Sequence, residues 1–443
     1  MEERRAYRYR IYPTREQADL INKTIGCARL VYNLTLEDLN QQCREGTKSP
    51  KMKKVTFFYD GFPFLREVDS LALANAQQNL RQSISNYFDW KKGKRKGQRV
   101  GYPKRHTKNR SRWTYTTNNQ HGTVRLEDGL LKLPKLGWLD INLHRPLNGV
   151  ITAATIERTR SNEYYVSLKV ITDIEAVSKN ITAQQLRDVK VVGLDMSMSE
   201  FLVDSDGHGF TDKERTQVDG NLVKADDTKA KFVRLTRKHE KKRRVLARKL
   251  SRTMKGSGNR ERARKRLARL DSRIANSRKD FCHKVSKHYA SNYDVIMVEG
   301  INMQSMSRTL HLGKSVGDLG FGMFRDFLSY KCRKYDSVLI YVDKWFASSK
   351  TCHECGTKND NLKLSDREWV CEKCGCILDR DLNAALNLRD YYYTLLDSTT
   401  VGTTGSYACG DEASTLRETL MQVLSMKHET ETLGKEAPSF RWG

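Results

Sequence analysis

Two hydrophobic periods follow each other at the start of the chain. The segment AYRYRIYPT alternates apolar and polar residues, which predicts a short strand, whereas apolar residues recur every three to four positions from Thr14 onward. The second period predicts an amphipathic helix that begins at Thr14 and packs against other elements. Its apolar positions are Leu20, Ile21, Thr24, Ile25, Ala28, Val31, Tyr32 and Leu34.

A second helical period lies between residues 64 and 90, with Asp69 or Ser70 as the N-cap. Residues 45–65 show no period, and we expect them to be irregular. The apolar stripe of this helix consists of Leu73, Ala76, Leu80, Ile84, Tyr87 and Phe88. The opposite face then carries four polar side chains and is either solvated or in contact with a ligand: Asn75, Gln78, Asn79 and Gln82.

Alternation with period two dominates from Trp113 to about residue 175. Six short segments alternate there between turn residues, which predicts a small antiparallel barrel or sandwich. They are WTYTT, TVRLED, LLKL, WLDINLH, ITAATIERT and EYYVSLKVI. If the opening strand joins this sheet, the helices between residues 14 and 90 are an insertion into a β-domain.

The net charge of the chain indicates which kind of molecule it binds. The 443 residues include 80 Lys and Arg against 53 Asp and Glu, a net charge of +27, with 38% hydrophobic residues. The hydrophobic content supports packed cores and excludes a disordered polycation, so the surplus charge favours a folded protein that binds nucleic acid. Because no run of eighteen apolar residues occurs and no apolar segment follows the basic N-terminus, we expect no membrane span, no secretory signal and a cytoplasmic protein.

The positive charge is concentrated in two segments. Residues 91–112 contain eleven Lys and Arg and no acidic residue, and we expect them to form a nucleic-acid-binding loop. Residues 231–270 contain eighteen Lys and Arg against two Glu, and apolar seams on both sides of residues 256–258 predict a basic helical hairpin, either a solvated spacer or a phosphate-binding surface. The seams are Phe232, Leu235, Val245, Leu246 and Leu250, then Leu267, Leu270, Ile274, Phe281 and Val285.

Five of the ten cysteines lie within twenty-five residues of one another. Cys352, Cys355, Cys371 and Cys374 form two C-x2-C pairs separated by fifteen residues, which is typical of a structural zinc ribbon with four thiolate ligands. Cys376 lies beside the second pair and stays outside this ligand set. The scattered cysteines are expected to be small buried hydrophobic residues: Cys27, Cys43, Cys282, Cys332 and Cys409.

Acidic residues stand at the ends of three predicted elements. Asp195 ends an apolar strand and is followed by a predicted hairpin with its turn at residues 206–207, Glu299 ends the apolar strand VIMV, and Asp379 and Asp381 begin a helix after the cysteine pairs. Each acid alone could be a loop residue. Converging carboxylates stay ionised together only when cations neutralise them, so their convergence would create a Mg²⁺ or Mn²⁺ site of the kind that hydrolyses phosphodiesters.

These segments resemble a known family. WFASSKTCHECG, SDREWVCEKCG and DRDLNAALNL resemble the C-terminal signature of TnpB, the RNA-guided nucleases of bacterial and archaeal insertion sequences. RYRIYPTREQADLINKTIGCARLVYN is similar to the opening segment of the same family, so the resemblance covers residues 1 to about 395. It extends more distantly to the type V CRISPR effectors.

The resemblance implies a multidomain α+β and α/β protein. It would contain a wedge β-barrel with a helical recognition insertion, and a RuvC-type (RNase H-like) nuclease domain with an inserted zinc ribbon. The expected ranges are 1–13 and 91–185 for the wedge, 14–90 for the recognition domain, 186–344 and 377–396 for the nuclease domain, 345–376 for the ribbon and 397–443 for a flexible tail.

The implied catalytic triad falls on Asp195, Glu299 and Asp381, which would hold Mg²⁺ or Mn²⁺, with Asp379 as the nearby competitor. The four paired cysteines would hold Zn²⁺. The implied partners are one guide RNA with a structured scaffold and double-stranded DNA, cut on both strands beside a short transposon-adjacent motif. Because Asn and Gln hydrogen-bond adenine edges, we expect the duplex to be read by Asn75, Gln78, Asn79 and Gln82, aided by Tyr115, Thr116 and Thr117.

Other functions stay open at this point. A non-cleaving RNA-guided regulator would keep the fold and the charge, a type V effector would take its guide from a CRISPR array, and a transposase would also use acidic residues, although the inserted ribbon favours the nuclease. Gly320 and Gly322 suggest a hinge, and the resemblance suggests a lid there, whereas MFRDFLSYK has the period of a helix. The tail has one further predicted helix, STLRETLMQVLSM.

Overall fold

The computed structural model divides into two compact units, residues 1–175 and 176–443. The structure describes residues 2–47, 49–95, 99–108, 112–173, 187–198, 200–209, 215–216, 222–223, 235–300, 317–343, 345–363 and 365–398. Within those ranges, none of the helices combines the length and the apolar character that a membrane crossing requires.

The N-terminal unit begins with a strand and a capped helix, as predicted. Thr14 accepts a hydrogen bond from the backbone N of Gln17, and the Gln17 side chain accepts one from the backbone N of Thr14, which closes a capping box. Asp69 caps the second helix by accepting from the backbone N of Leu71. The elements are β1 (Glu2–Tyr12), α1 (Arg15–Arg44), two short 3₁₀ helices (Val55–Phe58 and Pro63–Glu67) and α2 (Ser70–Lys91).

Seven strands of this unit form one antiparallel sheet in the order β2-β6-β7-β1-β5-β4-β3. After β1 they are β2 (Thr114–Asn118), β3 (Arg125–Glu127), β4 (Leu130–Leu133), β5 (Gly137–Asn142), β6 (Val150–Arg158) and β7 (Tyr164–Asp173). All six predicted strands are confirmed, and β1 pairs with both β7 and β5, so the two helices are an insertion into the β-domain. Among the described residues β2 and β3 are edges that do not pair with each other, so the expected barrel or sandwich is an open sheet.

Helices α1 and α2 cover one face of the sheet and share a core with it, which includes Ile21, Leu80 and Leu168. The predicted stripe of α2 is confirmed at its centre, but Phe88, near the C-terminal end of the helix, is 44% exposed. The scattered cysteines Cys27, Cys282 and Cys332 are buried as expected. Cys43 is exposed because it lies in the last turn of α1, and Cys409 lies outside the described residues.

The C-terminal unit is built on a mixed sheet in the order β13-β12-β8-β9. Its strands are β8 (Val191–Asp195), β9 (Val203–Asp204), β12 (Val295–Glu299) and β13 (Val338–Val342), and a separate pair is formed by β10 (Arg215–Thr216) and β11 (Leu222–Val223). Strands β8, β12 and β13 are parallel, and β9 runs antiparallel to β8. The predicted turn after β9 is present, with a φ of 86° at Gly207.

Helices pack on both faces of this sheet. The helices of this unit are α3 (Leu235–Lys238), α4 (Glu240–Arg252), α5 (Gly258–Asn292), α6 (Phe321–Tyr335) and α7 (Arg380–Ser398). Of these, α5, α6 and α7 share cores with the sheet. Leu194 and Ile296 face α5 and α6, whereas Val191 and Met297 face α7. This division follows from the alternation of side chains along each strand.

The basic hairpin predicted from the sequence is formed by α4 and α5, which contact each other beyond a reversal with a φ of 84° at Gly256. The seam of α5 is confirmed, since Leu270 and Ile274 are buried. The prediction of an apolar seam on α4 is wrong at Val245, which is 63% exposed, because this short helix buries none of its residues. Phe232 and the side chain of Leu235 lie outside the described residues.

The predicted lid and the predicted tail lie next to residues that the structure does not describe. The MFRDFLSYK segment is helical in α6, and Gly320 caps that helix with a φ of 75°. Residues 301–316 lie outside the described residues, so the lid stays a prediction. Helix α7 continues to Ser398, past the expected start of the tail, and residues 399–443 with the predicted STLRETLMQVLSM helix lie outside the described residues.

Candidate active site

Two of the three predicted acids lie side by side at the carboxyl edge of the parallel strands. Leu194 pairs with Val298, so the next residues, Asp195 and Glu299, stand beside each other on strands that are about 4.8 Å apart. Side chains at every second position of a strand lie on the same face of the sheet. Asp195 therefore lies on the same face as Val191, and Glu299 on the same face as Met297, which is the face that α7 covers. Asp195 and Glu299 are half-buried.

Helix α7 crosses this face in very close contact with β8. A Cβ added at Gly193 would lie 2.0 Å from the carbonyl oxygen of Ala385, so only glycine allows the two backbones to approach in this way. Asp381 lies one turn before Ala385 and reaches the end of β8, where the Ser197 hydroxyl donates a hydrogen bond to its Oδ2 at 3.0 Å. The fold therefore brings Asp381 to the strand ends that carry Asp195 and Glu299.

The structure separates the roles of the two aspartates at the start of α7. Asp379 Oδ1 accepts hydrogen bonds from the backbone N of Asp381 at 3.0 Å and of Leu382 at 2.9 Å, which makes Asp379 the N-terminal cap of the helix. Asp381 is 6% exposed and turns its carboxylate toward Ser197. The Asp379 carboxylate therefore faces the start of the helix, whereas the Asp381 carboxylate faces the residues that follow β8.

Positive charge already surrounds Asp381. Arg367 Nη1, in the segment between the two cysteine pairs, lies 3.3 Å from Asp381 Oδ2, and Arg380 Nε lies 3.7 Å from Oδ1. Burial raises the pKa of the Glu299 carboxyl above its ordinary value. Two carboxylates at strand ends and a third under two guanidinium groups make a site that attracts cations and anionic oxygens together.

The four paired cysteines form a compact cluster. Their sulfur atoms lie within 4.8 Å of one another, with Cys352 Sγ 3.6 Å from Cys374 Sγ and Cys355 Sγ 3.5 Å from Cys371 Sγ. Within the described parts of the chain no other set of three potential metal ligands is as tight. Hydrogen bonds from Thr357 lower the pKa of the Cys355 thiol to about 6, so this sulfur is readily present as the thiolate that metals bind. The cluster fits a single tetrahedral ion.

Cys376 lies beside the cluster, as the sequence indicated, and is not one of its members. Its carbonyl oxygen accepts a hydrogen bond from the backbone N of Cys371 at 2.9 Å, and its side chain packs against the small core of the ribbon. The ribbon hairpin consists of β14 (Glu368–Val370) and β15 (Ile377–Asp379), and β15 leads into α7 without a linker.

The predicted DNA-reading residues divide into a surface group and a buried group. Gln78, Asn79 and Gln82 are exposed on α2, and Thr116 is half-buried with its hydroxyl 2.9 Å from that of Thr155. The remaining three, Asn75, Tyr115 and Thr117, are buried at 7%, 5% and 0% exposure. Asn75 donates its side-chain hydrogen bond to the carbonyl of Leu71, one turn earlier in its own helix.

Three members of that set, Asn79, Tyr115 and Thr116, line a cavity of about 320 Å³ between α1, α2 and β2. Asn79 and Thr116 contribute to its wall together with Arg29, His106 and Arg112. Arg29 was not singled out from the sequence, whereas His106 and Arg112 belong to the predicted nucleic-acid-binding segment 91–112. The sequence did not indicate that the three residues meet, because they come together only through folding. His106 is held in place by stacking on Tyr32, with ring centroids 3.9 Å apart.

Three residues at the carboxylate site also escaped the sequence-based prediction. A glycine within a buried, β-branched strand is a signal of close backbone approach, and it could have identified Gly193. Ser197 and Arg367 give no such signal, because Ser197 meets Asp381 across 184 residues and Arg367 meets it across a cysteine hairpin.

Together these features define a class: a two-unit, strongly basic protein with a strand-borne carboxylate site and an inserted four-cysteine ribbon. Family models match three parts of the chain: "Helix-turn-helix domain" of OrfB from IS605 at residues 1–48, "Probable transposase" of OrfB from IS605 at 170–310, and "Cas12f1-like, TNB domain" at 321–388. In this structure residues 2–44 form a strand and one long helix.

Curated relatives cover most of the chain. A protein of Streptomyces pristinaespiralis named "Putative RNA-guided DNA endonuclease" is 31% identical over 400 residues, which is 87% of this chain and 88% of the relative. "Putative RNA-guided DNA endonuclease InsQ" of Escherichia coli (strain K12) is 23% identical and covers 88% and 92%. "TnpB-like protein L79" of Acanthamoeba polyphaga mimivirus is 30% identical over 28% of this chain and 24% of that protein. The chain belongs to the TnpB family of RNA-guided DNA endonucleases.

A solved structure titled "Cryo-EM structure of the Cas12f1-sgRNA-target DNA complex" is similar with a TM-score of 0.46 and 13% sequence identity, over 88% of this chain and 99% of that chain.

Proposed function

We propose that this protein is an RNA-guided DNA endonuclease. It takes its guide from an RNA encoded by the transposon, recognises a short transposon-adjacent motif, and hydrolyses both DNA strands in one RuvC-type site. The observation that carries this proposal is the convergence of Asp195, Glu299 and Asp381 beneath the start of α7. The names of the relatives support the same activity.

The three carboxylates suit Mg²⁺ or Mn²⁺, because these ions prefer oxygen ligands. Asp195 and Glu299 are in register on one face, and Glu299 is a half-buried carboxyl whose pKa is raised by desolvation, so a cation would stabilise its ionised form. Bound there, the ions supply Lewis-acid stabilisation of the phosphate and activation of the attacking water.

The protein's own groups set the geometry of this chemistry. In this proposal Asp195 is the shared ligand, with Glu299 on the neighbouring strand and Asp381 on α7 as the other two. Ser197 orients the Asp381 carboxylate from one side. Arg367 approaches from the ribbon and brings positive charge to the place where a phosphate would accumulate negative charge.

We assign the binding of the guide RNA and the target DNA to the basic surfaces of the protein. Helix α4 buries no residue and exposes its Lys and Arg, which makes it a surface for the phosphates of an RNA or a DNA strand. Under this proposal residues 1–13 and 91–185 act as the wedge, 14–90 as the recognition domain, 186–344 and 377–396 as the nuclease domain, and 345–376 as a ribbon that holds structural Zn²⁺.

Duplex reading is assigned to the cavity between α1, α2 and β2. Asn79 and Thr116 line it, and Gln78 and Gln82 extend the polar surface along α2. Arg29 and Arg112 add charge for backbone phosphates. In this proposal the buried residues Asn75, Tyr115 and Thr117 support the wall of the cavity and do not touch bases. Replacing Asn79 by Ala should then weaken binding to the correct motif more than binding to a scrambled one, whereas Asn75→Ala should lower stability.

The central experiment compares the two aspartates at the start of α7. Protein purified with its RNA is incubated with Mg²⁺ and a matched DNA target, and cleavage and guided binding are measured separately. Asp381→Asn should abolish cleavage and retain binding. Asp379→Asn is the matched control, because Asn also caps helices, and it should cleave normally.

The outcomes separate the alternatives. Wild-type protein that binds its guided target and never cuts would be a regulator and would refute the nuclease assignment. Cleavage that survives Asp381→Asn and fails in Asp379→Asn would reverse the assignment of the third acid. Sequencing the RNA that co-purifies distinguishes a transposon end from a CRISPR array as the origin of the guide.

A further inference from the structure

Two asparagines of α7, Asn383 and Asn387, attach the cysteine ribbon to the nuclease helix. Their side-chain nitrogens both donate to the carbonyl oxygen of Thr351, at 2.7 Å in each case, and Asn387 also donates to that of Ser348 at 2.8 Å. Both asparagines are buried, at 1% and 9% exposure. Asn383 uses its remaining group as well, because its Oδ1 accepts from the backbone N of His353 at 2.9 Å.

The contacts with Thr351 and His353 fall on the two peptide groups that flank Cys352. The Thr351 carbonyl precedes Cys352 and the His353 N–H follows it, so α7 fixes the first cysteine pair from both sides. His353 Nδ1 also lies 3.3 Å from Asp390 Oδ2, one turn further along α7. Cys352 itself is completely buried.

The second cysteine pair is attached to the same helix by a different route. Strand β15 leads directly into α7, and the backbone N of Arg380 donates to the carbonyl of Arg367 at 2.8 Å. Arg367 is the residue whose side chain contacts Asp381. A metal ion that joins the two pairs would therefore close a ring that consists of the first pair, the asparagines, α7 and the second pair.

Building on the proposed function, we propose that Asn383 and Asn387 are positioning residues that couple occupancy of the cysteine cluster to the geometry of the carboxylate site. With the ring closed, the ribbon holds Arg367 and the start of α7, and thus Asp381, in place beside Asp195. With the ring opened by loss of zinc or of the asparagine contacts, Asp381 loses this restraint and the site binds its divalent cation more weakly. The coupling is reciprocal, so the asparagine contacts also retain zinc.

The test uses the full-length, zinc-loaded protein with two readouts that need no cleavage. The first is the rate of zinc release to an excess of a colorimetric chelator, and the second is the dissociation constant of Mn²⁺ followed by electron paramagnetic resonance. We expect Asn383→Ala and Asn387→Ala each to accelerate zinc release about tenfold and to weaken Mn²⁺ binding about tenfold, as the loss of two or more buried hydrogen bonds implies. Cleavage should recover when the Mg²⁺ concentration is raised.

Three further variants serve as controls. Asn387→Asp keeps the shape of the side chain but cannot donate, so it should behave like Asn387→Ala if the hydrogen bonds are responsible. Asn361→Ala removes an exposed asparagine of the same ribbon and should change neither readout. If the alanine variants fail to fold, Asp390→Asn weakens the outer contact to His353 and should give a smaller shift in the same direction.

The result that overturns the coupling is an unchanged rate of zinc release, or Mn²⁺ binding that is equal in wild type and variants. Reduced cleavage at every Mg²⁺ concentration with unaltered zinc release would likewise refute it, since that is the behaviour of ordinary core residues. Failure of the wild type to cleave any guided target would refute the proposed function alone, because both metal readouts would still decide the coupling.

Discussion

The close contact of α7 with β8 leads to a strong prediction about Gly193. A Cβ at this position would lie 2.0 Å from the carbonyl oxygen of Ala385 and 2.6 Å from the backbone N of Arg389. Both atoms belong to the backbone, so no change of side-chain rotamer relieves the clash. Since ordinary contact begins at 3.4 Å, α7 must withdraw by about 1.4 Å, the difference between 3.4 Å and 2.0 Å, in the variant Gly193→Ala.

Such a withdrawal has two measurable effects. Overpacking of a tight contact costs about 3 kcal/mol of unfolding free energy, which should appear as a lower melting temperature. A displacement of about 1 Å at a reacting centre costs on the order of 100-fold in rate, and here it would move Asp381 away from Asp195. We therefore expect cleavage by Gly193→Ala to fall by at least about 100-fold while guided DNA binding is retained.

The assay compares single-turnover cleavage, guided binding and thermal melting in the same preparations. Gly322→Ala is the matched control, because a Cβ at Gly322 meets no atom within 4 Å and the residue lies in helix α6, where alanine is favourable. Wild-type cleavage and an unchanged melting temperature in Gly193→Ala would refute the close contact. Loss of guided binding together with cleavage would show that the substitution disrupts the fold generally and does not act on the position of Asp381.

Three further predictions concern other parts of the structure. Cys352→Ser should lower the zinc content measured by elemental analysis and lower the melting temperature, and an unchanged zinc content would exclude this residue from the ligand set. Replacing the exposed Lys241, Lys242 and Arg244 of α4 by Gln should weaken RNA binding and reduce the slope of its salt dependence by about 2, and an unaltered slope would mean that α4 contacts no phosphates. Asp318→Asn should destabilise the protein by about 3 kcal/mol at neutral pH, because it removes the ionised partner of Arg278 at 2.9 Å. Burial alone would raise the pKa of Asp318, but hydrogen bonds from Thr236 and Arg278 hold it below its ordinary value of 3.8, so this stabilisation is present above that pH and is lost below it. The difference in melting temperature between wild type and Asp318→Asn should therefore close in acid, and a difference that persists unchanged there would contradict the role of the charge.

The local periods and the motif spacing were sufficient to predict most of the elements and the cysteine cluster of this protein. Alternation in residues 113–175 predicted six strands that are all present, and Thr14 and Asp69 marked both helix starts, because these signals depend on neighbours within a few positions. The C-x2-C pairs predicted a thiolate cluster for the same reason. The prediction of the α4 seam was wrong at Val245, since periodicity shows which residues share a face but not whether another element covers it.

Only the tertiary structure decided which of these residues meet. Strand order brought β8 beside β12 and hence Asp195 beside Glu299, although about a hundred residues separate them in the chain. The two aspartates at the start of α7 have different surroundings, because Asp379 accepts from the backbone N of Asp381 whereas Asp381 accepts from the Ser197 hydroxyl. The asparagine contacts to the ribbon had no sequence signal at all, because they join side chains to backbone carbonyls, which every residue possesses. Contacts of this kind depend on the close packing of distant segments, and that packing is a property of the whole fold.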